Sequence, residues 1–154
     1  LDRFLMRLSL GYPGPQDERQ ILVNLWREHP ITRLGKVVDG NDLLRLQKLV
    51  WDVHVDETLQ EYIVALSAAT RNHPDLSLGI SPRGSLALFK AAQALAAVRG
   101  REHVIPDDIK SLAPVTLAPR LITRPEAELR GRSALAILED VLQDTPLNLV
   151  SPSN

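Results

Sequence analysis

The stretch GISPRGSLALFKAAQALAAVRGREHVIPDDIKSLAP, residues 79–114, carries the strongest helix signals in the chain. Ser81 is a good N-cap and Pro82 suits the first helical position, so we predict a helix over residues 82–99 that Gly100 terminates. The helix is apolar on nearly every side, and its many alanines would let neighbouring helices approach closely. Such a helix is typical of the centre of a bundle.

Arg83 lies in the first turn of this predicted helix, where a cation is unfavourable. Unpaired N–H groups and the aligned peptide dipoles give a helix start a partial positive charge. A bound anion would explain the arginine, because N–H groups and a guanidinium together suit a phosphate. The alternative is an exposed arginine that points to solvent or to a nearby carboxylate, and local sequence leaves both interpretations open.

Signals for helix starts and stops recur along the rest of the chain. In residues 4–10, apolar and polar side chains alternate as in a β-strand, but the sequence contains no partner strand. Before the central helix we predict three helices: one that begins at Pro15 and ends before Pro30, one capped by Asn41 and one capped by Asp56. After it we predict a helix from Pro106 to about Pro114, an irregular or short helix within residues 120–132, and a last helix capped by Ser133. The predicted fold class is therefore all-α, a bundle of about six helices preceded by a short orphan β-strand.

Composition and motifs exclude several classes of function. The 154 residues suit one domain, carry a net charge of −1, and contain no cysteine for thiol chemistry, disulfides or Cys-ligated zinc. No apolar run is long enough to span a membrane. The four histidines lack metal-ligand spacing, and no serine lies in a nucleophile elbow, so we expect no metal site. The arginines of the C-terminal third lack aromatic neighbours, which favours a solvated surface over nucleic-acid binding.

Residues 81–114 closely resemble the C-terminal lid of MoxR-type AAA+ ATPases. LDRFLMRLSLGYP, residues 1–13, resembles the passage from the nucleotide-binding core of that family into its lid. RPEAEL, residues 124–129, and AILEDVL, residues 136–142, are similar to its C-terminus. The resemblance implies a remnant of the core in residues 1–13, a helical lid domain in residues 14–145, and a flexible tail in residues 146–154.

The resemblance also implies roles for particular residues. Arg83 matches the second sensor, which reaches the γ-phosphate of its own subunit's ATP. Arg3 matches the arginine-finger region, which reaches toward the neighbouring subunit's nucleotide, and a surface arginine beside Asp2 is the alternative. Gly79, Ser81 and Tyr12 are expected near the bound nucleotide, with hinge or core roles as the alternative. The chain departs mildly from the family pattern at Gly84, where a small alanine is usual, and at His103, where an aromatic residue is common.

A parent protein of this kind would bind ATP and Mg²⁺ through a phosphate loop and an acidic motif that these residues lack, so we expect the chain alone to bind ATP weakly and not to hydrolyse it. The parent is expected to be a cytoplasmic ring, a hexamer, whose chaperone-like activity assembles or activates partner complexes, with a von Willebrand factor A-type protein as one partner. The alternatives are a stand-alone helical adaptor for proteins and, third, a DNA-binding regulator.

Overall fold

The structure, a computed structural model, describes residues 3–26 and 29–147, and these form two compact units. The first unit contains residues 3–7 and 48–147, and the second contains residues 8–26 and 29–47. The described elements are α1 (Pro15–Leu25), α2 (Gly40–Trp51), α3 (Glu57–Arg71), β1 (Leu76–Leu78), α4 (Pro82–Val98), α5 (Pro106–Leu117), β2 (Ile122–Thr123), α6 (Pro125–Leu129) and α7 (Ala134–Asp144), with 3-10 turns at Pro30–Arg33 and Ala118–Arg120. The helical fold class is confirmed, while most of the predicted tail lies outside the described residues.

The strand predicted over residues 4–10 does not form, and the described strands lie elsewhere. β1 and β2 pair antiparallel, with Leu76 opposite Thr123 and Leu78 opposite Ile122. Residues 3–5 form a bend and residues 6–10 have no regular structure. A strand requires a neighbouring strand to accept its N–H groups, and instead the Arg7 N–H donates to the Val115 carbonyl at the end of α5, 2.9 Å away.

Side-chain caps begin three helices where the sequence predicts them. The Ser81 Oγ accepts a hydrogen bond from the Gly84 N–H, while Asp56 and Ser133 cap α3 and α7. The prediction that Asn41 caps α2 is wrong. The Asp39 carboxylate accepts from the Asp42 N–H at 2.8 Å, and the Asp42 carboxylate accepts from the Asp39 N–H at 3.2 Å. This reciprocal pair starts α2 one residue earlier than Asn41.

Helix α5 continues through Pro114 to Leu117, so the prediction that it ends at Pro114 is wrong. A proline inside a helix removes the hydrogen bond to the carbonyl four residues earlier and costs about 3 kcal/mol. Ala113 and Leu117, on either side of the proline, are completely buried. Burial of this last turn against the rest of the first unit offsets the lost hydrogen bond.

Helix α4 lies at the centre of the first unit, as its composition predicts, with α3 and α5 packed against it. Its Leu88, Ala92 and Ala96 are completely buried. Helix α7 packs against both α3 and α5 and contributes Ile137 and Leu138 to the same core. This packing fixes α4, and therefore its N-terminal turn, within a rigid frame.

Asp108 joins the end of α4 to the start of α5. Its carboxylate accepts two hydrogen bonds from Arg101, at 2.7 and 2.8 Å, one from Arg99 at 3.0 Å and one from the Ile105 N–H at 3.0 Å. Burial of this fully enclosed carboxyl would raise the pKa of Asp108. The hydrogen bonds from Arg101 and Ile105, together with the two arginine charges, outweigh burial and hold that pKa below its usual value.

The second unit leaves its apolar side chains exposed. Helices α1 and α2 contain no buried residue, and the Trp26 side chain after α1 is 84% exposed. The periodicity correctly predicts both helices, of which α2 extends past Gln47 into the first unit. Within that same part of the chain, no helix is long and apolar enough to cross a membrane.

Candidate functional site

The N-terminal turn of α4 carries a cation and no acidic residue. Ser81 caps the helix, Pro82 occupies its first position and Arg83 follows. This first turn contains no acidic residue, although acidic residues are favoured at helix starts. Arg83 is the charged residue of this turn, and it is exposed to solvent.

Arg83 lines a pocket of about 210 Å³ in the first unit. The residues that line this pocket, hereafter the cationic pocket, are Arg3, Phe4, Leu5, Arg83, Leu86, Ala87, Lys90 and Arg120. Four of these eight residues are cations, and none of them is acidic. Like charges that converge on an open pocket create a positive potential that attracts an anion.

The structure brings Arg3 and Arg83 together, although they are far apart in the sequence. Arg83 and Lys90 lie seven residues apart on α4 and so share one helix face. Arg3 reaches the pocket from the N-terminal segment, and Arg120 reaches it from the 3-10 turn after α5. Three separate parts of the chain therefore supply the four cations.

Arg120 holds the N-terminal segment in place. Its guanidinium donates to the Thr116 carbonyl at the end of α5 and to the Phe4 carbonyl beside Arg3. The side chain is only 8% exposed, so the interpretation of the C-terminal arginines as a solvated surface is wrong for this residue. Most of the others pair with carboxylates: Arg99 and Arg101 with Asp108, Arg130 and Arg132 with Asp75, and Arg132 also with Asp140.

Gly79 and Ser81 lie in the turn that leads into α4, outside the set of residues that line the pocket. A Cβ on Gly79 would lie 2.6 Å from the Arg71 Cα, so this glycine allows the turn to pass directly over the end of α3. Ile80 between them is buried, and its N–H donates to Thr70 Oγ1 at 2.9 Å. Tyr12 belongs to the second unit and is 99% exposed. Roles for Gly79, Ser81 and Tyr12 at a nucleotide remain predictions.

Lys90 and Arg120 also line the cationic pocket, although neither was predicted as a site residue. Lys90 could have been found, because its seven-residue spacing from Arg83 places both cations on one face of a predicted helix. Arg120 carries no comparable signal. Its role depends on carbonyls from two segments that only the folded chain brings together.

The donor set of the cationic pocket fits phosphate and does not fit a metal ion. Mg²⁺ binds oxygen ligands, chiefly carboxylates and phosphates, whereas this pocket presents four cations. Across the described residues, no group of three or more His, Asp or Glu side chains could hold a metal ion. ATP fits the pocket through its phosphates, and the Mg²⁺ that accompanies ATP would need ligands from elsewhere.

A second, larger pocket of about 480 Å³ lies in the same unit, lined by Leu49, Asp52, Val53, His54, Ala97, Arg101 and Glu102. It contains charges of both signs, and the backbones of His54 and His103 pair beside it. The mixed lining gives no preference for an anion or a cation.

Comparison with known proteins identifies the class of this chain. Residues 68–141 match the family of AAA lid domains. The fold is similar to the crystal structure of a protein assigned as an ATPase from Cytophaga hutchinsonii, with a TM-score of 0.87 and 29% sequence identity. That match covers 96% of this chain and 47% of the other. The helical bundle is thus a lid domain of the AAA+ class.

Curated relatives narrow this class to one family. The chain is 46% identical to the YeaC protein of Bacillus subtilis, across 92% of this chain and 44% of that protein. It is 35% identical to the chaperone MoxR1 of Mycobacterium tuberculosis, across 97% of this chain and 42% of that protein. It is 30% identical to the MoxR protein of Paracoccus denitrificans, across 90% of this chain and 47% of that protein. The chain belongs to the MoxR family of AAA+ proteins, and it spans less than half the length of these relatives.

Proposed function

We propose that this chain supplies Arg3 and Arg83 to the phosphate end of an ATP molecule in a MoxR-type AAA+ ATPase. The observation that supports the proposal is the cationic pocket, because Arg3 and Arg83, which the family resemblance assigns to nucleotide contacts, both line it. Lys90 adds a third exposed cation on the face of α4 that carries Arg83.

The proposed chemistry is phosphoryl transfer. Charge spreads over the γ-phosphate oxygens as this group moves to water, and catalysis consists chiefly of positioning the reactants and stabilising that charge. Guanidinium groups held in place before the reaction stabilise the charge without reorganising. Arg3 and Arg83 line one pocket and are exposed, so a phosphate that enters the pocket can contact both.

The shared pocket supports contact with one nucleotide and not with two. The family resemblance assigns Arg83 to the ATP of its own subunit and Arg3 to the ATP of a neighbour. Both side chains line one pocket of about 210 Å³ in one subunit. They therefore reach one phosphate group more readily than they would reach two nucleotides bound at different sites. We therefore propose that both arginines act on the neighbouring subunit's ATP, across a head-to-tail contact of the ring that the AAA+ family implies.

The proposal extends to the parent protein. The M. tuberculosis relative is named a chaperone, and we propose a similar role, in which lid movement transmits the nucleotide state to partner complexes in the cytoplasm. A hexameric ring and a von Willebrand factor A-type partner remain part of this proposal. The exposed apolar faces of α1 and α2 would pack against the rest of the parent, since the relatives are more than twice as long as this chain.

The preference for ATP over ADP tests this proposal in the full-length protein. The double variant Arg3→Ala/Arg83→Ala should lose about 100-fold in affinity for a non-hydrolysable ATP analogue, because hydrogen bonds to charged groups contribute about 1.5–3 kcal/mol each. Affinity for ADP should change less than about threefold, since the lost contacts go to the γ-phosphate. Fluorescence titration with labelled nucleotides measures both affinities.

The matched control is Lys110→Ala, which removes one exposed cation from α5 outside the cationic pocket. The control should bind both nucleotides as the unmodified protein does. An unchanged preference for ATP in the double variant would contradict the proposed contact.

A further inference from the structure

Arg120 is a buried cation whose hydrogen bonds connect two distant segments. Burying an arginine is costly unless its N–H donors find acceptors. Two of its donors find acceptors in separate segments: Nη1 donates to the Thr116 carbonyl at the end of α5, and Nη2 donates to the Phe4 carbonyl in the N-terminal segment. The planar fork of a guanidinium suits such a bridge, because its donors point in fixed, divergent directions.

The sequence of α5 explains why acceptors are available there. The last four carbonyls of a helix have no partner within the helix. Pro119 lies four residues after Val115 and has no N–H, so it cannot donate a hydrogen bond to the Val115 carbonyl. The Arg7 N–H donates to that carbonyl at 2.9 Å, and Arg120 donates to the next one, on Thr116. The N-terminal segment is thus attached to the end of α5 at two points.

Gly84 brings Arg120 against the turn that carries Arg83. A Cβ on Gly84 would lie 2.7 Å from Ile80 Cγ2 and 3.1 Å from Arg120 Cδ. The absence of a side chain therefore leaves room for the Arg120 stem beneath the first turn of α4. This close approach also accounts for glycine at a position where the family usually has alanine.

One side chain thus contacts the start of α4, the end of α5 and the residue next to Arg3. We propose that Arg120 is a positioning residue, which fixes the N-terminal segment so that Arg3 and Arg83 point at the same phosphate. This inference rests on the proposed function of the two arginines. Catalytic groups need placement to within about 0.5 Å, and a misplacement of about 1 Å can reduce the rate about 100-fold.

The test is a double-mutant cycle in the full-length protein, with Arg120→Lys, Arg3→Ala and the combination of both. Lysine keeps the charge and the stem of Arg120 but lacks the fork that joins two carbonyls. Arg120→Lys should lower kcat for ATP hydrolysis about tenfold and leave KM within about threefold, because a misplaced Arg3 weakens transition-state stabilisation more than ground-state binding. In the Arg3→Ala background the same change should have no further effect on kcat.

Amide hydrogen exchange supplies a readout that general destabilisation would not reproduce. Arg120→Lys should accelerate exchange at the Arg7 amide about tenfold, because its bond to Val115 depends on the anchored segment. Amides within α4 and α7 should keep their protection. The control is Arg124→Lys, since the Nε of Arg124 donates to the Leu76 carbonyl, away from the cationic pocket.

The outcomes separate this inference from the proposed function. An equal reduction of kcat by Arg120→Lys with and without Arg3 would overturn the positioning role, as would an unchanged kcat. Normal turnover by Arg3→Ala would instead contradict the proposed function. If Arg120→Lys does not fold, Arg120→Gln takes its place in the cycle, because glutamine also lacks the fork that joins the Thr116 and Phe4 carbonyls. The same loss of effect in the Arg3→Ala background is then expected.

Discussion

Replacing Arg83 by alanine in the full-length protein should lower kcat for ATP hydrolysis about 100- to 1,000-fold, the usual effect of removing one preorganised group that stabilises transition-state charge. The lid should stay folded, because Arg83 is exposed and lies outside the core. The change instead removes a cation from the start of a helix, where it is unfavourable. Steady-state phosphate release measures the turnover, and circular dichroism of the same sample checks the fold.

Lys110→Ala is the matched control for this experiment, because it removes an exposed cation from the same unit. Its turnover should equal that of the unmodified protein. Turnover within about twofold of normal for Arg83→Ala would exclude a role for this arginine in stabilising transition-state charge.

Replacing Asp108 by asparagine should lower the free energy of unfolding by about 3 kcal/mol, the lower end of the range for removing one partner of a buried ion pair. The lower end applies because Arg99 is half exposed and can turn to solvent, while Arg101 is partly exposed. Urea unfolding of the 154-residue chain measures the change. Asp107→Asn, on an exposed residue in the same turn of α5, should cost only a few tenths of a kcal/mol.

Asp108 also makes the free energy of unfolding depend on pH. Because the folded state lowers the pKa of Asp108 from 3.8, its contribution to stability is complete above that value and is lost as the pH falls through the folded pKa. The stability difference between the unmodified chain and Asp108→Asn should therefore be constant near neutral pH and shrink below about pH 4. A difference that stays constant in acid would contradict the ion-pair account.

Features that depend only on neighbouring residues, such as helix caps, were predictable from the sequence. The caps Ser81, Asp56 and Ser133 specify helix starts through bonds that span only two or three residues. Arg83 was noticeable because its cost at a helix start is also local. These elements need no knowledge of the rest of the fold, and the structure confirms all three caps.

Features that depend on distant contacts were not predictable in the same way. Helix α5 passes through Pro114 because burial of Ala113 and Leu117 outweighs a local signal to stop. Arg120 looked like a surface arginine because its acceptors, the Phe4 and Thr116 carbonyls, meet only in the folded chain. The strand predicted over residues 4–10 failed for a related reason, since alternation alone supplies no partner strand.

If Arg3 and Arg83 of one subunit act on the same nucleotide, variants that lack one or the other cannot complement each other in a mixed ring. Full-length Arg3→Ala and Arg83→Ala proteins are mixed in equal amounts, subunits are exchanged, and ATP hydrolysis is compared with that of each variant alone. Differently tagged subunits recovered together confirm that mixed rings have formed.

We expect no regain of activity, because every site receives both arginines from one subunit and always lacks one of them. If the two arginines served different nucleotides, random mixing would restore both to about a quarter of the sites in a ring. Recovery of turnover toward about a quarter of the normal rate would therefore contradict the shared pocket as the site of a single phosphate.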